Sequence, residues 1–132
     1  MQISAKIESR FHSQDTVVQT NDLARTLTIP VKPTGYGSAV NGGELLLLAL
    51  ATCFCNDLYR EAGKRKIAVS AVEVECTAEF GAEGESGRNF QYTARVSADA
   101  SPQLIEELIR ATDQAAEVHN TLRKGVSVTL VE

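Results

Sequence analysis

The chain is poor in several features that would each have pointed to a function. It has three cysteines in 132 residues, an odd number without scaffold spacing, which fits a reducing compartment better than a secreted disulfide framework. It has no surplus of positive charge. Thirteen Lys and Arg against seventeen Asp and Glu leave a net charge of −4, which disfavours nucleic acid or an anionic membrane as the main partner, since both call for a basic surface. Its longest apolar run, Leu45 to Cys55, is about half of the ~20 residues that a membrane span needs. No basic start leads into an apolar stretch, so no secretory leader is expected. His12, with Asp15 nearby and no cysteine, has no metal-site spacing, and no segment asks for a cofactor. Repeats, low-complexity stretches and linkers are absent too. These absences describe a single cytoplasmic domain over residues 1–132, long enough to bury a sizeable core.

What is present alternates first and then turns helical. Ile3, Ala5 and Ile7, then Thr16 to Gln19, then Leu23, Leu27 and Ile29 carry the two-residue period of strands, with Asn21-Asp22 as a tight turn. Pro30 and Pro33 break the ladder, and a flexible loop follows over Thr34 to Ser38. Asn41 with Glu44 forms a capping box. From there a helix is expected to about Ala62, stopped by Gly63 in the left-handed conformation, with Lys64, Arg65 and Lys66 as a solvated end. Its first three turns have no polar face, which predicts burial on all sides, by a second layer or a second subunit. Ile67 to Phe80 and Phe90 to Ala98 read as a hairpin, with Val72, Val74, Cys76, Ala78 and Phe80 on one face. Ser101-Pro102 starts a second helix that ends at Gly125, and Val126 to Val131 reads as a closing strand. The order βββ-α-ββ-α-β is α+β.

The first helix carries two thiols, Cys53 and Cys55. Neighbours on a helix lie three and four residues apart. Cys55 therefore shares an apolar stripe with Leu48, Ala51, Thr52, Leu58 and Tyr59 and is expected in the core, where free cysteine behaves as a small hydrophobe. Cys53 lies with Leu46, Ala49, Leu50, Asn56, Asp57 and Arg60, at the edge where the wall turns polar. A reactive thiol needs a nearby cation and some access. Arg60 supplies the charge, while Asp57 raises the thiol pKa unless a cation neutralises it. The two thiols are offset by about 200° and form no unstrained disulfide with each other. Cys76 reads as packing. Tyr36, between Gly35 and Gly37, lines a pocket or lies on the surface. His119 is either a base or ion-pair partner for Cys53 across an interface, or a half-buried helix-end histidine stabilised by the dipole.

The run Asn41-Gly-Gly-Glu-Leu-Leu-Leu-Leu-Ala-Leu-Ala-Thr-Cys-Phe54, followed by Ile67-Ala-Val-Ser-Ala-Val-Glu-Val-Glu75 and later by His119-Asn-Thr-Leu-Arg-Lys-Gly-Val126, resembles the OsmC/Ohr family. The resemblance follows the element order of the whole chain and is strongest over residues 41–76. It implies an OsmC-like α+β fold, with antiparallel sheets around a buried central helix, in an intertwined homodimer with two sites at the interface. It also implies reduction of organic hydroperoxides, with Cys53 on the peroxidatic position. Three departures accompany it. No cysteine follows Cys76, so the family's resolving cysteine is missing. Gly42-Gly43 stands where many members have Pro-Glu, and Glu44 is one position, about 100°, from the place of the Glu thought to organise an active-site arginine. The family's activating arginine comes from the N-terminal strands, where Arg10 and Arg25 are both available. The resemblance thus implies a hydroperoxide reductase that uses Cys53 with an external thiol, assisted by Arg10, Arg25 or Arg60, with Glu44 and His119 as further candidates. The alternatives are a non-catalytic dimer that binds a small apolar ligand at its interface, and an interaction dimer without chemistry.

Overall fold

The computed structural model describes all residues, 1–132, in the order ββ-β-α-ββ-αα. Its contacts divide the chain into two compact units, Met1–Leu45 and Leu46–Glu132. The fold is mixed α+β, with three helices and antiparallel sheets. No helix is long and apolar enough to cross a membrane.

The first unit is a meander of β1 (Ile3–Arg10), β2 (Ser13–Thr20) and β3 (Leu23–Thr26). Ile3 pairs with Thr20 and Arg10 with Ser13, and β2 runs back along β3 with Thr20 opposite Leu23. The expected turn at Asn21-Asp22 is there, with Asn21 at φ 50°, a conformation that asparagine tolerates. The loop expected to be flexible is closed by backbone bonds from Lys32 to Gly37 and from Ala39 to Pro30, at 3.1 and 2.8 Å. Tyr36 lies on the surface, edge-on to Phe11. The capping box forms as read: Glu44 N–H donates to Asn41 Oδ1 at 2.8 Å, and Asn41 N–H donates to Glu44 Oε1 at 3.0 Å.

In the second unit, α1 (Gly42–Lys64) lies on the hairpin of β4 (Val69–Glu79) and β5 (Arg88–Ala98), with α2 (Pro102–Ala115) against it. The core stripe is Phe54, Leu58 and Ala62, four residues apart, closed by Leu108 of α2 and by Val72, Val74, Tyr92, Ala94 and Val96 from the sheet. Each fully buried Phe or Leu here is worth about 1.5–3 kcal/mol. Burial of α1 on all sides, expected from its composition by a second layer or a second subunit, is not reached within this one chain. Leu48 is 58% exposed, and Thr52 and Tyr59 are exposed with it. Placing Phe54 at the buried centre puts residues 48, 52, 55 and 59 about 100–160° away from it on one side. Within this chain nothing covers that side. Cys55 accordingly leaves the core assigned to it and lines an open groove with Ala51, Thr52, Asn56, Val72 and Val74. Cys76 is half-buried on the expected face of β4, opposite Tyr92.

Three element ends differ from the reading of the sequence. α1 runs through Gly63, and it is Lys66, at φ 57°, that takes the left-handed position. Ile67 N–H reaches Ala62 O at 3.0 Å and Lys66 N–H reaches Gly63 O at 3.2 Å, a Schellman stop that lets Ile67 pack on the core. The second helix is two: α2 ends at Ala115, Ala116 is extended at ψ 110°, and α3 is Glu117–Arg123. The carbonyls freed at the break are taken up by Asn120 Nδ2, which donates to Gln114 O at 2.9 Å, and by Arg123 Nη1, which donates to Asp113 O at 3.2 Å. The closing strand is not formed. Residues 126–131 are irregular and pair with no strand of their own chain, and Val128 is 97% exposed.

Two outcomes test these contacts. Lysine in the left-handed region is strained, so Lys66→Gly is expected to raise stability by roughly 0.5 kcal/mol in urea unfolding. Glu61, buried on α1, accepts from Lys64 at 2.8 Å and from Arg65 at 3.1 Å. These two cations, Lys64 foremost, lower its pKa from the ordinary 4.5 to about 2. Its folded pKa lies below the unfolded one, so its stabilisation is present above pH 4.5 and is lost as pH falls through 2. Urea midpoints followed from pH 5 to pH 2 should fall more steeply in the wild type than in Glu61→Gln.

Candidate functional site

The packing of Phe54 sets where the second unit presents Cys53. With Phe54 facing the sheet, Cys53, Asp57 and Arg60 all lie on one flank of α1, about 60–120° from it, and Cys55 lies on the other flank. Asp57 is close enough to the core to be buried, Cys53 is half-buried and Arg60 is exposed. The break at Ala116 then brings Glu117, the first residue of α3, to the same flank.

The four side chains form one polar cluster. The single S–H of Cys53 has two carboxylate acceptors in reach, Asp57 Oδ2 at 3.5 Å and Glu117 Oε2 at 3.9 Å. Arg60 Nη1 lies 3.3 Å from Asp57 Oδ1 and donates to Glu117 Oε1 at 3.2 Å. One guanidinium therefore bridges the two carboxylates that face the thiol. Burial pushes the Cys53 pKa above its ordinary value, and Asp57 and Glu117 push it the same way. The Val118 backbone opposes them without prevailing. Asp57 is raised by burial and then by its bond with Glu117, whereas Glu117 is lowered, first by that bond and also by Arg60. In this pair Asp57 is the better proton acceptor. The sulfur and two carboxylate oxygens lie within 4.8 Å of one another. Arg60 bridges the two carboxylates and offsets one of their two negative charges, so the cluster reads as a thiol beside proton acceptors.

The candidates named from the sequence thus separate. Cys53 and Arg60 come together, though Arg60 bonds the carboxylates and not the sulfur. His119 makes no hydrogen bond to Cys53. It is buried near the start of α3, edge-on to Tyr92 at 4.7 Å between ring centroids and 6.1 Å from Phe54. Burial, then Arg123, lowers its pKa, so it is held neutral rather than stabilised as a cation by a helix end. Arg10, Arg25 and Glu44 belong to the first unit. There Arg10 pairs with Glu8 at 2.8 Å and Asp15 at 2.7 Å, Arg25 stands opposite Val18 on β3, and Glu44 serves the capping box. Glu117 was missed. The sequence carries no signal for it, since Ala115-Ala116 before it reads as helix interior and the break that makes Glu117 a helix start is not written there.

Arg60 offers the test of this geometry. Without it, two unneutralised carboxylates face the thiol, so Arg60→Met should slow iodoacetamide alkylation of Cys53 at pH 8 by several-fold, as read by peptide mass.

The same arrangement of elements occurs in known proteins. The family model described as OsmC-like protein matches residues 35–131. Among solved structures, an OsmC-like protein from Mycoplasma pneumoniae is 19% identical, with 98% of each chain covered and a TM-score of 0.63. The organic hydroperoxide resistance protein OhrB of Bacillus subtilis is 19% identical over 96% of each chain, with a TM-score of 0.55. A putative organic hydroperoxide resistance protein from Vibrio cholerae, with captopril bound in one of its active sites, is 23% identical over 97% of this chain and 88% of that one, with a TM-score of 0.57. No curated protein matches in sequence. At these identities the structural likeness speaks for the fold alone.

Proposed function

This chain belongs to the OsmC-like protein family, and we propose that it is a one-cysteine, thiol-dependent hydroperoxide reductase acting through Cys53. The observation that carries the reading is the Cys53 thiol donating to Asp57 beside the Arg60-bridged Glu117. The likeness to the organic hydroperoxide resistance protein of Bacillus subtilis and the putative one of Vibrio cholerae supports the choice of substrate class.

The chemistry follows from the protonation states. A thiol attacks peroxide oxygen only as its proton leaves, and here Asp57 Oδ2 accepts that proton as the sulfur closes on the peroxide. The O–O bond breaks as the S–O bond forms, giving the Cys53 sulfenic acid and an alcohol, which takes up the proton. One external thiol then attacks the sulfenic acid and releases water, leaving a mixed disulfide. A second external thiol displaces Cys53 and departs as the oxidised disulfide. No cysteine follows Cys76, so the reductant comes from outside. A raised thiol pKa makes the first step slow at neutral pH and faster as pH rises.

The uncovered apolar surface supports self-association as part of the reading. Ile3, Ile7, Leu23 and Leu27 of the first unit are exposed, as are Leu48 and Tyr59 of α1 and Val128, Leu130 and Val131 at the C-terminus. Soluble monomers rarely leave such stretches open. A second copy of this chain covers them, with the 126–131 segment supplying a strand to an edge of its partner.

Two measurements test these proposals. Stoichiometric cumene hydroperoxide should add one oxygen to the wild type and none to Cys53→Ser, at a rate that rises from pH 7 to pH 9, and added dithiol should restore the thiol. An unoxidised Cys53 refutes the reading. In light scattering the wild type should weigh twice the monomer, whereas Val128→Asp/Leu130→Asp shifts towards the monomer. A monomeric wild type contradicts the pairing.

A further inference from the structure

Apart from the thiol, the second unit carries a cleft of about 170 Å³ between α1, β5 and α3, with Leu50, Phe90, Tyr92, His119, Leu122 and Arg123 in its lining. Leu50, Phe90 and Leu122 make its walls apolar. His119 breaks the pattern: the residue is 4% exposed, and neither of its ring nitrogens has a hydrogen-bond partner in the chain. A buried polar group without a partner is destabilising, and in native proteins such a group calls for an explanation. Its neighbours do not provide one. The Tyr92 hydroxyl is spent on Asp113, and the tyrosine meets His119 only with its ring.

The charges in the lining restrict what could fill the cleft. Arg123 is the one cation there, and it is committed to Asp113 Oδ1 at 2.6 Å, Asp113 O at 3.2 Å and Asn120 Oδ1 at 3.2 Å. No free positive charge is left for a carboxylate or phosphate. A neutral imidazole has one N–H donor and one bare acceptor nitrogen. A hydroxyl suits either, since it donates to the bare nitrogen or accepts from the N–H, whichever faces the cleft. As to size, an apolar cavity of about 150 Å³ takes up benzene.

We propose that this cleft binds a small neutral amphiphile, a single aromatic ring or short hydrocarbon body bearing a hydroxyl, with the hydroxyl paired to the His119 imidazole. The site uses none of the thiol cluster, and its occupancy does not depend on Cys53 reacting.

Phenol, toluene and benzoate, titrated into the full chain, separate the alternatives. Histidine ring nitrogens are followed by long-range ¹H–¹⁵N NMR, with His12 of the first unit as an internal reference. Phenol should shift the His119 ring nitrogens saturably and leave His12 unmoved. Toluene, which has the ring without the hydroxyl, and benzoate, which has the ring with a charge, should each bind about tenfold more weakly or worse. His119→Leu should abolish the preference for phenol over toluene while leaving toluene bound. Leu122→Trp, at the half-exposed rim, should block phenol without touching the imidazole, and it carries the test if His119→Leu fails to fold. The proposal is overturned by an unshifted His119, by benzoate binding as tightly as phenol, or by phenol binding that survives Leu122→Trp.

Discussion

The contact of Phe54, Leu58 and Ala62 with Leu108 and the β4–β5 sheet fixes the rotation of α1 about its own axis. The rest of the second unit's chemistry depends on that rotation. One residue is 100° on a helix, so with Phe54 pinned to the sheet Cys53 falls on one flank and Cys55 on the other. Asp57 and Arg60 fall on the Cys53 flank and nowhere else. A turn of α1 by a single residue step would carry one of the two thiols to the buried centre and take the other away from its present neighbours.

The second constraint is the break at Ala116. Had α2 continued, the backbone after residue 115 would have kept its helical course and Glu117 would have followed it. The extended Ala116 starts α3 afresh, with Glu117 in its first turn, where a negative charge is favoured by the helix dipole. The carboxylate placed there reaches both the thiol and Arg60. The same restart buries His119 three residues after the break and opens the cleft that it lines. Thiol cluster and cleft are therefore two consequences of one local change in backbone direction.

Much of this was legible in the residues. The capping box, the Asn21-Asp22 turn, the 69–98 hairpin and the α+β class follow from local patterns that the structure keeps. The family resemblance over residues 41–76 led to the family whose model matches residues 35–131. Local patterns failed where the deciding interaction is distant. The apolar composition of α1 implied burial on every side, yet composition does not say whether the covering layer belongs to the same chain. Leu48 and Cys55 face a groove for that reason, and residues 126–131 alternate like a strand but find no edge to pair with. The left-handed stop is expected at Gly63 because glycine is the usual left-handed residue, whereas the packing of Ile67 on the core carries the turn to Lys66. Glu117 was invisible for a related reason, since an Ala-Ala pair is a good helix interior and nothing nearby announces the break.

The central claim is that Cys53 is a thiol kept protonated by burial and by two carboxylates, which react with it as proton acceptors. Its most direct test is the thiolate absorbance near 240 nm, titrated in a Cys55→Ser/Cys76→Ser background with the same titration of the Cys53→Ser triple variant subtracted, so that the tyrosinate absorbance of the three tyrosines cancels. The account predicts a midpoint above the ordinary cysteine value of about 8.5, moved down by Asp57→Asn and by Glu117→Gln. A midpoint below that value, or one that neither substitution moves, would contradict it.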